Sequence, residues 1–301
     1  NVSEEILKRV SDAYRRIRNT SRYLLSNLHD FDPEANSVNF SDMLDLDKWI
    51  FEHAQDLQKE IIEAYNNFEF HLIYQLLHQF CVVEMGGFYL DIIKDRQYTT
   101  GKDSLVRRSG QTVMYHLIQM LVRWLAPIMS YTADEIWKYI PGEKNGSVFL
   151  EDWYDIDISD TDSKIRKVRW ETIISVRDEA KKQLEKLRND GTIGSSLDAD
   201  INIYCNKNLF DELNSIEDEL KFVLISSSAK IYPLEKRDNE SSQTDIPDLF
   251  ILAKPCVSKK CVRCWHRNET VGIDASHENL CSRCIKNISK ATGFKLLISI
   301  L

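Results

Sequence analysis

The 301-residue sequence has no unbroken run of about 18 apolar residues, which argues against a membrane-crossing helix and against a membrane as partner. It opens Asn1-Val2-Ser3-Glu4-Glu5, without the basic, apolar and small-residue order of an export signal, so a cytoplasmic protein is expected. It has no internal repeat, which excludes a solenoid or propeller. Seven cysteines are an odd number, and four of them stand in close pairs, which points to metal rather than a disulfide frame. With 43% hydrophobic and 29% charged residues, the chain has the composition of a globular protein, and its length suits more than one domain. The net charge of −8 is uneven. Residues 251–301 carry nine Lys/Arg against three acids, +6, which leaves −14 for the rest and suggests a local polyanion contact.

The first 140 residues read as a helical bundle. Ile6, Val10, Ala13, Ile17, Leu24 and Leu28 recur at three- and four-residue steps, one apolar stripe of a helix that ends in Asp30–Ser41. A second helix follows through Leu46, Ile50, His53, Leu57 and Ile61. A third runs through Leu72, Leu76, Phe80 and Val83 to Gly86-Gly87, where a kink or stop is expected. A fourth spans about Gln111 to Leu125 before Pro127, and Thr132-x-x-Glu135 reads as a capping box for a short last helix. Residues 141–162, with their acidic run, read as a linker. A helix from Lys164 to Asn189, a strand over Leu197–Ile203, a helix around Leu209–Leu220 and a strand-like Val223–Ile231 then make a small α/β unit.

Cys261-x-x-Cys264 and Cys281-x-x-Cys284 stand sixteen residues apart. Each such turn aims two thiolates at one ion, so the four close a structural zinc site without an open position for catalytic water. Cys256, His266 and His277 are the nearest competing ligands, and two complete pairs make them unnecessary. Cys81 and Cys205 lie in apolar segments and read as inert core thiols. Trp265 among Lys260, Arg263, Arg267 and Arg283 suits base stacking with phosphate contacts, although a Trp beside a ligand cysteine more often packs under the metal loop.

On the first helix, Arg15, Arg18 and Arg22 fall within about 60° of one another, off the apolar stripe, with Asn19 beside them. The local acids mostly precede the cluster, so the arginines lack evident partners along the helix, and a phosphate-reading face stands beside a plain solvated one. Lys94, Arg96, Arg107 and Arg108 near Phe88, Tyr89 and Tyr98 offer a second basic edge, unless neighbouring acids tie them into structural pairs.

The stretches "DAYRRIRNTSRYLLSNLHDFDP", "FYLDIIKDRQYT", "RRSGQT", "VRWLAPIMSYTADEIW", "IGSSLDA" and "KKCVRCWHR…CSRC" occur in one order over nearly the whole chain. Together they resemble the C-terminal part of a bacterial-type isoleucyl-tRNA synthetase, a class I aminoacyl-tRNA synthetase. The resemblance implies a mainly α fold: a helical-bundle anticodon-binding domain over 1–140, a linker and small α/β junction domain over 141–250, and a four-cysteine zinc-binding domain over 251–301. It implies a monomer that binds isoleucine tRNA through the anticodon stem-loop and carries one structural zinc. Where the family often has cysteine, this sequence has Gly110, a packing difference. The closing "GFKLLISIL" is more apolar than the family's polar tail. The His-x-Gly-His and Lys-Met-Ser-Lys-Ser motifs that activate the amino acid with ATP occur nowhere here, so no catalytic residue is assigned. The chain alone is expected to be inactive, with ATP and isoleucine handled in a catalytic part outside it. A stand-alone zinc-ribbon RNA-binding protein, the same region of a valine, leucine or methionine synthetase, and a purely structural module are the alternatives.

Overall fold

The computed structural model describes residues 3–156 and 162–292; the apolar tail after Thr292 and part of the acidic run lie outside the described residues. The chain divides into two compact units, residues 1–97 with 102–163, and residues 98–101 with 164–301.

The first unit is helical. Helix α1 (Glu4–Ser26) starts where the Ser3 side chain accepts the Ile6 amide, with Glu4 and Glu5 in its first turn, both favourable at the positive end of the helix dipole. Its buried face runs from Ala13 through Ile17 to Leu24, whereas Ile6, Leu7 and Val10 stay exposed, so only the later part of the expected stripe enters the core. A short α2 (Pro33–Asn36) is capped by Asp32. Helix α3 (Asp45–Asn66) buries Leu46, Ile50, Ala54, Leu57 and Ile61. Helix α6 (Leu105–Leu125) is capped by Ser104 and buried on nearly all sides from Arg107 to Leu125, which makes it the centre of the unit.

The third predicted helix does not stop at Gly86-Gly87. It runs on from Phe70 to Thr99 as α4 (Phe70–Gln79), a π-helical stretch over Phe80–Tyr89, and α5 (Leu90–Thr99). The wider turn explains the glycine: a Cβ on Gly86 would lie 3.2 Å from the Cys81 carbonyl oxygen, five residues earlier. The Thr20 hydroxyl of α1 donates to that same carbonyl at 3.3 Å. By length and composition this helix, with mean hydropathy 1.3 over an 18-residue window, could cross a membrane, but half of that window is buried inside the protein. Such burial suits the core helix of a bundle.

Helix α7 (Ser130–Trp137) corrects the capping-box reading. No side chain caps it, because Thr132 faces the Tyr14 hydroxyl at 3.2 Å and Glu135 is drawn to Arg18. The stretch read as a linker is partly laid on the bundle: Gln55 and Gln58 donate to the Ile156 and Tyr154 carbonyls, and Arg123 binds the Asp152 carbonyl and the Glu151 carboxylate. Gly110 sits against Gln97, whose amide nitrogen would lie 2.6 Å from an added Cβ, so a larger residue there requires Gln97 to swing aside.

In the second unit, α8 (Ser163–Asn189) ends before Gly191, whose φ of +69° favours glycine. A mixed sheet follows, with strands β1 (Ala199–Cys205), β2 (Ser228–Pro233), β3 (Ser242–Gln243) and β4 (Leu249–Pro255) in the order β2-β1-β4-β3. β1 is parallel to β2 and antiparallel to β4. The expected single helix after β1 is two, α9 (Lys207–Asn214) and α10 (Glu217–Val223), which takes in the start of the stretch read as a strand. β4 leads into the cysteine loops, and α11 (Ser282–Thr292) ends the described chain.

Candidate metal centre and nucleic-acid interface

The first cysteine pair lies in a tight turn closed by backbone bonds from Cys261 N to the His266 carbonyl and from Trp265 N to the Cys261 carbonyl, both 2.9 Å. The second lies at the start of α11, with Cys281 just before the helix and Cys284 in its first turn. Val262 N bonds to the Asn279 carbonyl and Cys281 N points at Cys261 Sγ, 3.4 Å away, so the two turns are locked together. All four sulfurs lie within 4.8 Å of one another and all four residues are buried. Cys264 Sγ and Cys281 Sγ are 3.8 Å apart. Tetrahedral zinc with Zn–S bonds of about 2.3 Å requires an S···S edge of about 3.8 Å, so the donor set and its spacing fit one zinc ion. Hydrogen bonding to Cys264 is the main influence that holds the Cys281 thiol well below its usual range and pushes Cys284 above it. A bound zinc ion would take the place of those shared protons.

The competing ligands fall away. His266 is buried, with Nδ1 at the Cys264 carbonyl and its ring edge-on to Phe222, and neither it, His277 nor Cys256 joins the cluster. Burial pushes the Cys81 thiol up to about 12 and Cys205 up to about 11, as inert core thiols require. The zinc module is fastened to the sheet of its own unit through Asp198. Its carboxylate accepts from Arg267 Nε at 2.9 Å and meets Lys260 Nζ at 3.7 Å, while its carbonyl takes the Cys256 amide.

Trp265 does not pack under the metal loop. It is 62% exposed and its φ is +65°, a left-handed conformation forced by the turn that aligns Cys264. The ligand geometry thus presents an aromatic ring to solvent.

On α1 two of the three arginines have partners. Arg15 pairs with Asp12 at 2.8 Å on the same helix, and Arg18 forms a two-pronged bond to Glu135 of α7 at 2.7 and 2.8 Å. Asn19 and Arg22 stand beside them on the same helix, both exposed, and among the described residues neither makes a side-chain hydrogen bond or ion pair. Arg22 instead lines a cleft of about 440 Å3 with Arg18, Leu25, Glu135 and Tyr139, and Tyr139 is 71% exposed. Tyr139 and Glu135 carry no sequence signal for this role, because they stand more than 110 residues away and read as part of a helix stripe and its cap.

The second basic edge is corrected more strongly. Only Lys94 is open to solvent, paired with Asp91 at 2.8 Å. Arg96, Arg107 and Arg108 are buried. Arg96 faces Asp47; Arg107 grips both oxygens of Asp30 at 2.7 and 2.9 Å; Arg108 binds Asp103, Gln111 and the Asp30 carbonyl. They hold the bundle together and are not presented to a ligand. The Arg107 guanidinium is the main cause that keeps the Asp30 carboxyl well below the usual carboxylate range. A carboxylate depressed in the folded state stabilises above its unfolded pKa of about 4 and loses that contribution as acid protonates it. Asp30→Asn is therefore expected to lower stability at neutral pH and to flatten its fall below about pH 4, read by denaturant titrations across pH.

Residues 47–203, just over half of the chain, match the model of the anticodon-binding domain of tRNA ligase. The chain belongs to this anticodon-binding family. This tRNA-ligase anticodon-binding chain also matches, over residues 258–287, the zinc finger found in FPG and IleRS. It is 52% identical over 288 residues to the isoleucine–tRNA ligase of Nitrosococcus oceani, covering 95% of the chain and 31% of that relative. The isoleucine–tRNA ligase of Methylococcus capsulatus is 48% identical over 96% of the chain and 31% of the relative, and that of Legionella pneumophila (strain Corby) 48% over 99% and 32%. The chain thus spans about a third of the length of the curated relatives it matches. These relatives do not favour a stand-alone zinc ribbon or a valine, leucine or methionine synthetase.

Proposed function

We propose that this chain is the RNA-holding part of an isoleucine–tRNA ligase: it grips the anticodon stem-loop of isoleucine tRNA while a catalytic part outside it joins isoleucine to that tRNA with ATP. Within this reading it acts as a monomer in the cytoplasm. The observation that carries it is the open face of α1, where Arg22 lines the cleft with Tyr139 and Asn19 stands exposed on the same helix. An unpaired loop displays bases that proteins read by stacking and edge hydrogen bonds while cations fix the phosphates. Arg22 supplies a cation without an internal partner, Asn19 an amide for a base edge, and Tyr139 a stacking surface. Trp265 supplies a second exposed aromatic on the zinc module. Arg18, held by Glu135, positions the rim of the cleft.

The test is fluorescence anisotropy with the isoleucine anticodon stem-loop against the same stem carrying a scrambled loop. Arg22→Ala is expected to weaken both alike and to reduce the salt slope by about one. Asn19→Ala and Tyr139→Ala are expected to cost about 1–3 kcal/mol for the cognate loop and little for the scrambled one. Equal affinity of the wild-type chain for both loops would remove anticodon reading. Wild-type affinity in a folded Asn19/Arg22/Tyr139 triple alanine variant would make the α1 face a merely solvated one.

A further inference from the structure

The sheet of the second unit has two unlike faces. One carries Ala199, Ile201, Ile203, Cys205, Leu249 and Ile251, all buried in the core. On the other, Tyr232, Tyr204 and Phe250 form one cross-strand row, since Tyr204 is the register partner of both. The Tyr204 and Tyr232 rings are stacked, 5.3 Å apart and 21° from parallel, and the Arg237 guanidinium lies 3.7 Å over the Phe250 ring. The next row is Lys230, Asn202 and Leu252, and the one beyond is Ser228, Asp200 and Lys254. The central Tyr204 is buried, 5% exposed, so the row offers only its two outer rings; Tyr232, Phe250, Asn202 and Leu252 are half-buried, while Lys230, Lys254 and Arg237 are exposed. Among the described residues neither Lys230 nor Lys254 is given a hydrogen bond or ion pair, although Asp200 stands opposite Lys254 in register.

Two half-buried rings flanking a third, with an amide and one lysine in the next row and a second lysine in the row beyond, have the chemistry of a single-strand platform. Bases stack on the rings whatever their sequence, and lysines at the margin hold the phosphates. A purely structural face would have exposed polar residues without an aromatic row. A face for an apolar protein partner would not place two unpaired lysines and a guanidinium around its rings. The platform belongs to the same compact unit as the zinc module, which Asp198 ties to this sheet.

We infer that this face, on either side of the buried Tyr204, is an RNA-contacting surface distinct from the α1 cleft, taking two unpaired nucleotides with bases on Tyr232 and Phe250 and phosphates on Lys230 and Lys254. The inference rests on the reading that the chain holds RNA, and adds a site that reads no anticodon. Asn202 gives the platform one edge donor and acceptor, so its sequence preference is weak. Arg237 already covers one side of Phe250 at 3.7 Å, so a base reaches that side of the ring only when the exposed guanidinium swings aside.

The experiment uses the full chain and two probes, a short oligouridine without secondary structure and the anticodon stem-loop. Tyr232→Leu and Phe250→Leu keep apolar bulk in the half-buried row but remove the stacking face. Each is expected to weaken oligouridine binding on the order of ten-fold, with Tyr232→Trp retaining it. Lys230→Gln and Lys254→Gln are each expected to lower the salt slope by about 0.7. Photo-crosslinking of the oligouridine should label Tyr232 or Phe250. Unchanged oligouridine affinity in the two leucine variants, shown folded by circular dichroism, overturns the platform, as do crosslinks found only elsewhere. Stem-loop binding without oligouridine binding overturns the platform and leaves the proposed function standing; loss of both removes both.

Discussion

Exchanging Cys261 and Cys264 together for serine is expected to empty the chain of zinc and unfold the stretch around the cluster while the helical bundle survives. The wild-type chain should hold about one zinc by elemental analysis, and the double variant none. The size of the effect follows from how little else holds this module. Its buried cluster consists of the four cysteines and Val271, with Leu280 packed against it. Five small side chains bury too little apolar surface to offset the ordering of some thirty residues, at roughly 1–2 kcal/mol of backbone entropy each. Structural zinc contributes about 10–16 kcal/mol in comparable peptides, and that energy is the folding energy. Without the ion, α11 loses the turn that sets its start, and proteolysis should cut between the two cysteine pairs. Cys256→Ser should keep its zinc, because Cys256 lies outside the cluster. Zinc content unchanged in the double variant would remove the site.

The metal centre was legible in the sequence because both ligand pairs are local: a Cys-x-x-Cys turn carries its own geometry. The main helices of the bundle were legible for the same reason, written in a 3.6-residue pattern, whereas the π-helical run past Gly86-Gly87, the short α2 and the break between α9 and α10 were not. The two-strand reading of the small sheet was partly legible, but its order was not, since β1 sits between strands that follow it by about 25 and 45 residues. Long-range polar pairs were out of reach. Glu135 reads as the end of a capping box until α7 is laid beside α1, where Arg18 outcompetes a helix amide for it. The exposure of Trp265 was not legible because a Trp next to a ligand cysteine usually finds cover; here the left-handed turn swings it out. The Arg96, Arg107 and Arg108 cluster was ambiguous on charge alone. The acids that claim Arg96 and Arg107 lie 49 and 77 residues away, at Asp47 and Asp30.

Asp47→Ala is expected to destabilise the bundle by about 3–5 kcal/mol, a large share of the 5–15 kcal/mol that holds a typical domain. Asp47 is fully buried in the first turn of α3. Its Oδ1 accepts from the Tyr89 hydroxyl at 2.8 Å and its Oδ2 from the Ser109 hydroxyl at 2.5 Å, while Arg96 Nη1 reaches both oxygens at 3.3 and 3.4 Å. One carboxylate therefore ties α3 to the end of the π-helical stretch, to α5 and to α6. Alanine would leave the Arg96 charge buried with this counter-ion gone and two buried hydroxyls short of an acceptor, each a cost in its own right. Asp47→Asn keeps an oxygen for one hydroxyl but removes the charge, so it should fall between wild type and alanine. The decisive comparison is Asp47→Leu with Arg96→Met, where both charges leave together. If the cost is that of an uncompensated buried ion, the pair should be more stable than either single variant. Urea titrations followed by circular dichroism give the ordering, and additive losses in the pair would show that packing around Asp47, and not its charge, holds the helices together.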